Sequence, residues 1–282
     1  KPWVTRLPFP VHVIGRVETY DRISRNRFST RYAYHHGYFD GHEREFRGFG
    51  MVEQWDTEVI GALTEEGNFP TGDNVDASSY VPPSHTKTWF HTGAYLEGSV
   101  ISRLYESDYY REGDESRGEK GLTDEQLQAL LLDDTVLPAD SSTDEEREAC
   151  RALRGSILRQ ETSADDKTDK ADRPYSVSER NYTVKRLQGI GANKHGVFFT
   201  HPRETIDFHY ERKLVTDGDR VLADSRVSHQ LILAVDELGN VEREVAVGYA
   251  RRDLPGVEEP EQRQTHLTFT VNRFANEAGQ DS

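Results

Sequence analysis

The chain has 282 residues, enough for one large β domain or two ordinary ones, and it can bury a sizeable core. Its 35 basic and 50 acidic residues give a net charge of −15, which argues against duplex nucleic acid and anionic membrane surfaces as partners. The single cysteine, Cys150, excludes a disulfide framework within the chain.

No apolar run approaches the length of a membrane span, and the first residues, KPWVTRLPFP, lack the apolar stretch of a signal peptide. The chain starts at Lys1 instead of methionine, so we expect it to be excised from something longer. The negative charge is uneven, because residues 106–172 contain 9 basic and 20 acidic side chains. This distribution predicts three parts, 1–105, 106–172 and 173–282, with an acidic middle.

The first part, 1–105, is predicted to be a β-meander with an exposed loop. Period-2 alternation in VHVIGRVETY and RFSTRYAY is typical of half-buried strands. The glycines in HHG and FDG are interpreted as breakers that end the second strand. The stretch Gly61–Ser84 is rich in Gly, Pro, Asn and Asp and is predicted to be an exposed loop, anchored by Trp89 and Phe90.

The acidic middle, 106–172, is predicted to hold two helices. In GLTDEQLQALLLDD, Thr123 with Gln126 forms a capping-box signature. In STDEEREACRALRGSILRQ, Thr143 and Glu146 repeat the signature, and apolar residues continue at helical spacing to Ile157. The run TSADDKTDKADRP is interpreted as a solvated linker.

The last part, 173–282, is again predicted to be β. GVFFTHPRETIDFHYERKL suggests two short strands about His201–Pro202, and RVSHQLILAV with VEREVAVGY predicts a long antiparallel hairpin around DELGN. THLTFTV supplies another strand. The predicted fold class is therefore mainly β, a large curved antiparallel sheet of β-meander type with a small acidic helical insertion.

The stretch YHHGYFDGHEREFRGFG offers a candidate metal site at His35, His36, Asp40, His42 and Glu43. Imidazole and carboxylate groups suit divalent metals. Adjacent strand residues point to opposite faces, however, so the two neighbouring histidines cannot easily share one ion. The pattern favours a polar turn with satisfied surface histidines, and we predict no metal site.

The sequence also gives little support for an acid–base pair or for a catalytic nucleophile. Glu43 and Glu45 share a face on an extended segment, but Arg44 and Arg47 interleave with them, which favours charge pairing along a sheet. There is no GxSxG elbow, and the acids before Cys150 work against a nucleophilic thiolate. We predict a buried structural cysteine, no catalytic residue and no enzyme.

Further motifs are weak. Gly189, Gly191 and Gly196 have neither dinucleotide-fold nor P-loop spacing, and TDGDR and DNVDASS lack the calcium loop, so no cofactor is predicted. Asn181-Tyr-Thr183 is a glycosylation acceptor only in a eukaryotic secretory route. Six interleaved aromatic residues favour cross-strand packing over a stacking platform for bases or sugars; they are Tyr32, Tyr34, Tyr38, Phe39, Phe46 and Phe49.

Several long blocks resemble, in the same order, the middle and C-terminal region of the B component of bacterial insecticidal toxin complexes (Tc toxins), whose partners carry RHS repeats. The blocks are LPFPVHVIGRVETYDRISRNRFSTRYAYHHGYFDGHEREFRGFGMVEQWDTE, KTWFHTGAY, DYYREGD, GLTDEQ, RALRGSILRQE, KADRPYSVSERNYTV, VFFTHPRETIDFHYERK and RVSHQLILAVDELGNVEREVAVGYARR. The resemblance covers nearly the whole chain and is weakest in 61–84, in 131–142 and beyond Arg252.

In that family the B component carries a β-propeller that docks on the pore-forming A component. Its later part joins the C component, with its RHS repeats, in a hollow β-sheet shell around a toxic cargo. The resemblance therefore implies a non-enzymatic section of that shell. The implied partners are the flanking propeller and RHS-repeat regions, the C component with its cargo and, indirectly, the A component. It also implies secretion after folding in the bacterial cytoplasm.

The family's cutting site for cargo release lies in the C component, so no catalytic residue is carried over to this chain. An alternative function remains open at this point. The loops of 61–110 and the helical insertion suit a protein- or glycan-binding module of a secreted bacterial surface or toxin protein.

Overall fold

The computed structural model describes residues 7–57, 70–74, 82–96, 100–113, 119–254 and 259–275. Ten strands form one antiparallel sheet in the order β1-β2-β3-β4-β5-β6-β7-β10-β11-β12, and β8 pairs with β9 separately. The strands of the large sheet are β1 (Arg16–Tyr20), β2 (Arg27–Asp40), β3 (Glu45–Thr57), β4 (Ser84–Phe90), β5 (Ile157–Ala164), β6 (Ser176–Gln188), β7 (Val197–His209), β10 (Arg226–Val235), β11 (Val241–Gly248) and β12 (His266–Val271). The predicted mainly-β class is confirmed.

One face of this sheet is apolar and covered in its central part. The cross-strand register places Met51, Trp89, Arg159, Glu179 and Ile206 in one row across β3 to β7. Every side chain in this row is buried. Side chains two residues away along a strand share a face, so this row defines the covered face of the sheet.

The opposite face is polar. Its matching row consists of Thr88, Gln160, Ser178, Asp207 and Ser228. These side chains are small or hydrophilic, and Ser228 is exposed. The alternation that predicts half-buried strands therefore holds across the centre of the sheet.

A layer of short helices and turns covers the apolar face. It contains α1 (Asp124–Ala129), α2 (Thr143–Ala152) and two short 3₁₀ turns, Ile101–Arg103 and Glu106–Asp108. The capping box of α1 at Thr123 and Gln126 is as predicted. For α2 the prediction was wrong by one residue, because the cap is Ser142, whose hydroxyl accepts from the N–H of Glu145 while the Glu145 carboxylate accepts from Ser142.

The predicted extension of the second helix to Ile157 was also wrong. The helix α2 ends at Ala152, and Gly155 takes a positive φ of 83°. The chain then enters β5, which lies between β4 and β6 in the sheet and includes the start of the predicted linker. A left-handed glycine terminates a helix at little cost, so the helical spacing up to Ile157 was accidental.

Three strand boundaries differ from the prediction. The strand expected over residues 11–20 begins only at Arg16. The motif HHG does not break β2, which runs on to Asp40, since Gly37 stays paired with Phe49 of β3. The side chain of Leu7 packs close to Gly37. The segment around Pro202 forms one strand, β7, instead of two.

Pro202 fits inside β7 because the ladder is irregular there. The pairing with β6 shifts between Asn181 and Tyr182, opposite Pro202. The strand β10 pairs only with Glu204–His209, so β7 has one neighbouring strand at this point. A proline in a strand is tolerated at such irregular or edge positions.

The remaining turns agree with the sequence. TDGDR forms the turn of the hairpin β8 (Leu214–Asp217) and β9 (Arg220–Ala223), with Gly218 at a φ of 60°. DELGN joins β10 and β11. The predicted loop Gly61–Ser84 and the motif DNVDASS lie largely outside the described residues, so the anchoring of this loop by Trp89 and Phe90 stays a prediction. Both residues belong to β4, and Trp89 is fully buried.

Across the described ranges, no helix has the length and apolar character needed to cross a lipid bilayer.

Candidate functional site

Two of the three histidines of YHHGYFDGHEREFRGFG, His35 and His36, contact different carboxylates. His35 Nε2 lies 2.7 Å from one oxygen of Glu53, and His85 Nε2 lies 2.7 Å from the other. His36, at a φ of 54°, instead meets Asp108 at 2.6 Å and stacks on Tyr105. The two neighbouring histidines thus have different partners, as the strand geometry predicts.

The acids of this stretch stabilise its turn. Asp40 Oδ1 accepts from the N–H groups of His42 and Glu43, each at 2.9 Å, and Oδ2 lies 3.0 Å from Arg47 Nη2. Burial opposes ionisation of Asp40, but the N–H of Glu43, Arg47 and the N–H of His42 together hold its pKa below the usual value. Arg47 also donates to the carbonyl of Gly93 at 2.5 Å, which ties the hairpin to the chain after β4.

Glu43 and Glu45 do not form an acid–base pair. Glu43 lies in the turn, whereas Glu45 begins β3, so the expected extended segment is absent at Glu43. Glu45 accepts from Arg154 at 2.8 Å. Arg154 also donates to the carbonyls of Phe46 and Arg47, and the pair therefore joins the end of α2 to the hairpin.

In the part of the chain that the structure describes, no group of three His, Cys, Asp or Glu side chains could hold a metal ion. The thiol of Cys150 is buried, and burial, with the charge of Glu146, raises its pKa to about 12. Asn181 of the glycosylation motif is fully buried and donates to the carbonyl of Asp133, so the folded chain hides this acceptor. Neither Cys150 nor Asn181 is therefore accessible for chemistry in the folded chain.

The predicted cross-strand packing of aromatic residues is confirmed at the hairpin. Tyr34 lies 5.0 Å from Phe49 between ring centroids, and Phe46 lies 5.4 Å from Phe49. Phe9, from the segment before β1, packs edge-on against Phe39 and Phe46. Of these contacts, the Tyr34–Phe49 pair crosses from β2 to β3, and Phe9 touches both strands, so both contribute to the register of the hairpin.

Gly50 allows the covering layer to reach this hairpin. A Cβ at this position would lie 2.1 Å from the hydroxyl oxygen of Tyr105, which belongs to the layer. Tyr105 packs against the core formed by Met51, Trp89 and Tyr109. With Tyr105 in this position, only glycine fits at residue 50, and a larger residue would force the Tyr105 side chain to move.

The sequence did not reveal the main polar feature, a buried charge cluster at the centre of the covered face. Arg159 Nε donates to Glu161 at 2.7 Å and Nη1 donates to Glu179 at 2.9 Å, and its guanidinium lies 4.6 Å from the ring centre of Tyr109. Burial raises the pKa of Glu179 above its ordinary value, although Arg159 and the N–H of Leu132 act against this shift.

Both glutamates of this cluster hold the covering layer. The N–H of Tyr110 donates to Glu161 at 2.8 Å, and the N–H of Leu132 donates to Glu179 at 2.7 Å. Hydrogen bonds from backbone N–H groups to carboxylates are strong, because the acceptor is charged. The cluster thus joins β5 and β6 to the layer above them. Arg159 and Glu161 are two residues apart and share a face of β5. Because the spacing of this segment indicated a helix, the pairing of the two side chains was not predicted.

Beside this cluster lies a cleft of about 190 Å³ between α1 and the sheet. Its floor includes Arg159, Phe208 and Tyr210, and its opposite wall includes Leu127 and Leu131. Aliphatic, aromatic and acidic groups therefore meet at one opening in the covering layer.

The chain is built on a wide antiparallel sheet. Buried ion pairs on one face hold the covering layer, and the opposite face is polar. These features are typical of a β-sheet scaffold. Two family models match separate parts of the chain. "Insecticide toxin TcdB middle/N-terminal region" matches residues 1–93, and "Insecticide toxin TcdB middle/C-terminal region" matches residues 148–280. The chain belongs to this TcdB family of insecticide toxins and lies in its middle region. No curated protein matches it.

Solved structures resemble the chain over nearly its whole length. The TcdB2-TccC3 crystal structure is 27% identical with a TM-score of 0.68, and TcdB2-TccC3-TEV is 28% identical with a TM-score of 0.69. They cover 94% and 96% of this chain, which spans 12% of each of theirs. The Photorhabdus luminescens Tc holotoxin pore is 30% identical over 90% of this chain and 10% of its own, with a TM-score of 0.62.

Proposed function

We propose that this chain forms a section of the wall of a β-sheet shell that encloses a toxic cargo and helps to deliver it. The observation that carries the proposal is the ten-stranded antiparallel sheet, whose end strands β1 and β12 can each continue into further strands. Similarity to solved TcdB2-TccC3 chains that are much longer supports a role within a larger assembly.

The proposal assigns no reaction to this section of the wall. The charged groups of the hairpin and the buried cluster pair with each other and with backbone groups, as described above. The proposed partners are the propeller and RHS-repeat regions of the same protein, the C component with its cargo and, indirectly, the A component. We further propose secretion of the assembled protein after folding in the bacterial cytoplasm.

In this proposal, residues 1–105 and 173–282 are wall sections. Residues 106–172 supply most of the cover and contribute one wall strand, β5. A wall needs two faces that meet different surroundings. The contrast between the covered apolar face and the polar row from Thr88 to Ser228 supplies this asymmetry.

A labelling experiment on the full-length protein tests whether the sheet separates an enclosed space from the outside. Cysteine is introduced as Ser228→Cys on the polar face or Glu125→Cys on the exposed surface of α1, with other accessible cysteines replaced. After assembly with the C component, we expect a bulky polyethylene-glycol maleimide to modify only one position. In the isolated 282-residue chain both should react. The native Cys150 should stay unmodified, since its thiol is buried with a raised pKa. Equal labelling of both positions in the assembly would contradict an enclosing wall.

We also expect the isolated chain to self-associate. On β12, Leu267, Phe269 and Val271 lie on one face and are 65%, 54% and 56% exposed. An end strand with an apolar face is a template for pairing with another chain. Sedimentation velocity should show an average mass that rises with concentration.

Two matched variants locate this association. Phe269→Lys should reduce it strongly, because it places a charge on the apolar face. Thr268→Lys adds the same charge on the opposite face of β12 and should reduce it less. A compact monomer for the unmodified chain at all concentrations would refute the expected association.

A further inference from the structure

Within the described ranges, one charged side chain in the lining of the cleft beside the buried charge cluster has no ion-pair partner. Glu106 makes no ion pair with any described residue, whereas the other charged side chains of the lining are paired. Arg111 lies 2.7 Å from Asp124, and Glu112 pairs with Arg252. Arg159 is held by its two buried glutamates. Among the described residues, Glu106 is therefore the one carboxylate of the cleft lining without an ion-pair partner.

The other lining groups are aliphatic or aromatic. Leu127 and Leu131 are half-buried on the α1 side, Phe208 is buried on β7, and Tyr110 meets Tyr210 edge-on at 5.8 Å between ring centroids. Aliphatic walls suit the methylene stem of a long side chain, and ring faces attract a cation. A cation already lies on a ring here, since the Arg159 guanidinium covers Tyr109.

The size of the cleft restricts its occupant. Pockets for drug-sized ligands span about 300–1,000 Å³. A cleft of about 190 Å³ suits a single side chain. Most of its lining residues lie in 94–147, the stretch between the regions that the two family models match.

From these observations we propose that the cleft is a docking site for a lysine side chain of a partner polypeptide. The stem lies along Leu127, Leu131 and Phe208, and the ammonium group meets Glu106. The unpaired carboxylate and the excess of acids in residues 106–172 supply the charge complementarity. This site is independent of the proposed shell role.

Two short capped peptides test the site in the 282-residue chain. One is acetyl-glycyl-lysyl-glycinamide, and the other replaces lysine by norleucine, which keeps the stem and removes the charge. Binding is followed by chemical-shift changes of the leucine methyl and tyrosine ring signals. We expect saturable binding of the lysine peptide at a concentration at least fivefold lower than that of the norleucine peptide.

Variants distinguish a specific contact with the Glu106 carboxylate from a general attraction of lysine to an acidic surface. Glu106→Gln should abolish the fivefold preference, whereas Glu125→Gln, an exposed residue of α1 outside the cleft, should retain it. Gln128→Trp places a bulky group at an exposed position of the lining and should weaken both peptides. Near-ultraviolet circular dichroism checks that each variant keeps its tertiary fold.

Three outcomes would overturn the proposal. They are equal binding of the two peptides, an absence of saturable binding, and equal effects of Glu106→Gln and Glu125→Gln. None of them bears on enclosure of cargo, which the maleimide experiment tests separately.

Discussion

Replacement of Arg159 by methionine is expected to lower the free energy of unfolding by about 3–5 kcal/mol at neutral pH. The arginine is the shared partner of Glu161 and Glu179, and all three side chains are buried. Methionine preserves much of the apolar contact but leaves two carboxylates without their cation. Urea unfolding followed by circular dichroism measures the loss.

The same variant should show a distinctive pH dependence. Burial already raises the pKa of Glu179, with Arg159 acting against the shift, so removal of Arg159 raises this pKa further. A carboxyl group whose pKa is raised in the folded state stabilises the fold at pH values below the pKa that the group has in the unfolded state. That contribution is lost as the pH rises through the pKa of the group in the folded state. The deficit should therefore be largest at pH 7.5 and smaller at pH 5.

An exposed arginine provides the control for this prediction. Arg226 is 63% exposed and lies 3.9 Å from Glu211, so Arg226→Met should change stability by less than about 1 kcal/mol at either pH. Addition of Glu161→Gln and Glu179→Gln to Arg159→Met should recover part of the loss. A small deficit that stays constant with pH would show that the buried cluster contributes little.

The fold class could be predicted from the sequence because period-2 alternation is local. In β10 and β11 the apolar residues, the polar loop and the return strand are all visible in one window of the chain. The boundaries were less predictable, because they depend on distant contacts. The strand β2 continues past Gly37 because its pairing with β3 continues there, with Gly37 opposite Phe49.

The segment around β5 illustrates the limit of periodicity. Apolar residues up to Ile157 have helical spacing, yet Gly155 takes a left-handed conformation and the chain turns into a central strand. The pairing of β5 with both β4 and β6 determines this outcome, and neither contact is visible locally. The cluster of Arg159 with Glu179 was hidden for the same reason.

Separate partners for the two adjacent histidines could be predicted, since strand geometry directs neighbours apart. Their identities could not. Asp108, the partner of His36, comes from the covering layer 72 positions along the chain. Similarly, the cleft is lined by residues of the covering layer and by Phe208 and Tyr210, and sequence spacing alone does not bring Glu106 and Tyr210 to the same cleft.

Replacement of Trp89 by alanine should be comparably damaging, at about 3–5 kcal/mol. Trp89 is fully buried between Met51 and Arg159 in the central row of the covered face, and its ring meets Tyr109 edge-on at 5.1 Å. Loss of the ring leaves a cavity where the sheet and the covering layer meet, and cavities of this kind relax only partly. Urea unfolding measures the change.

The neighbouring strand offers a matched control, because Trp55 stacks on His85 at 4.7 Å but is only half-buried. Trp55→Ala removes the same number of atoms from a site that water can fill, so its loss should be less than half that of Trp89→Ala. Trp89→Ala should also increase the exposure of the N–H groups of Tyr110 and Leu132 to hydrogen exchange, since the layer that Tyr109 anchors would loosen. If the two tryptophan variants lose equal stability and exchange at these amides is unchanged, the covering layer does not depend on the central row of the sheet.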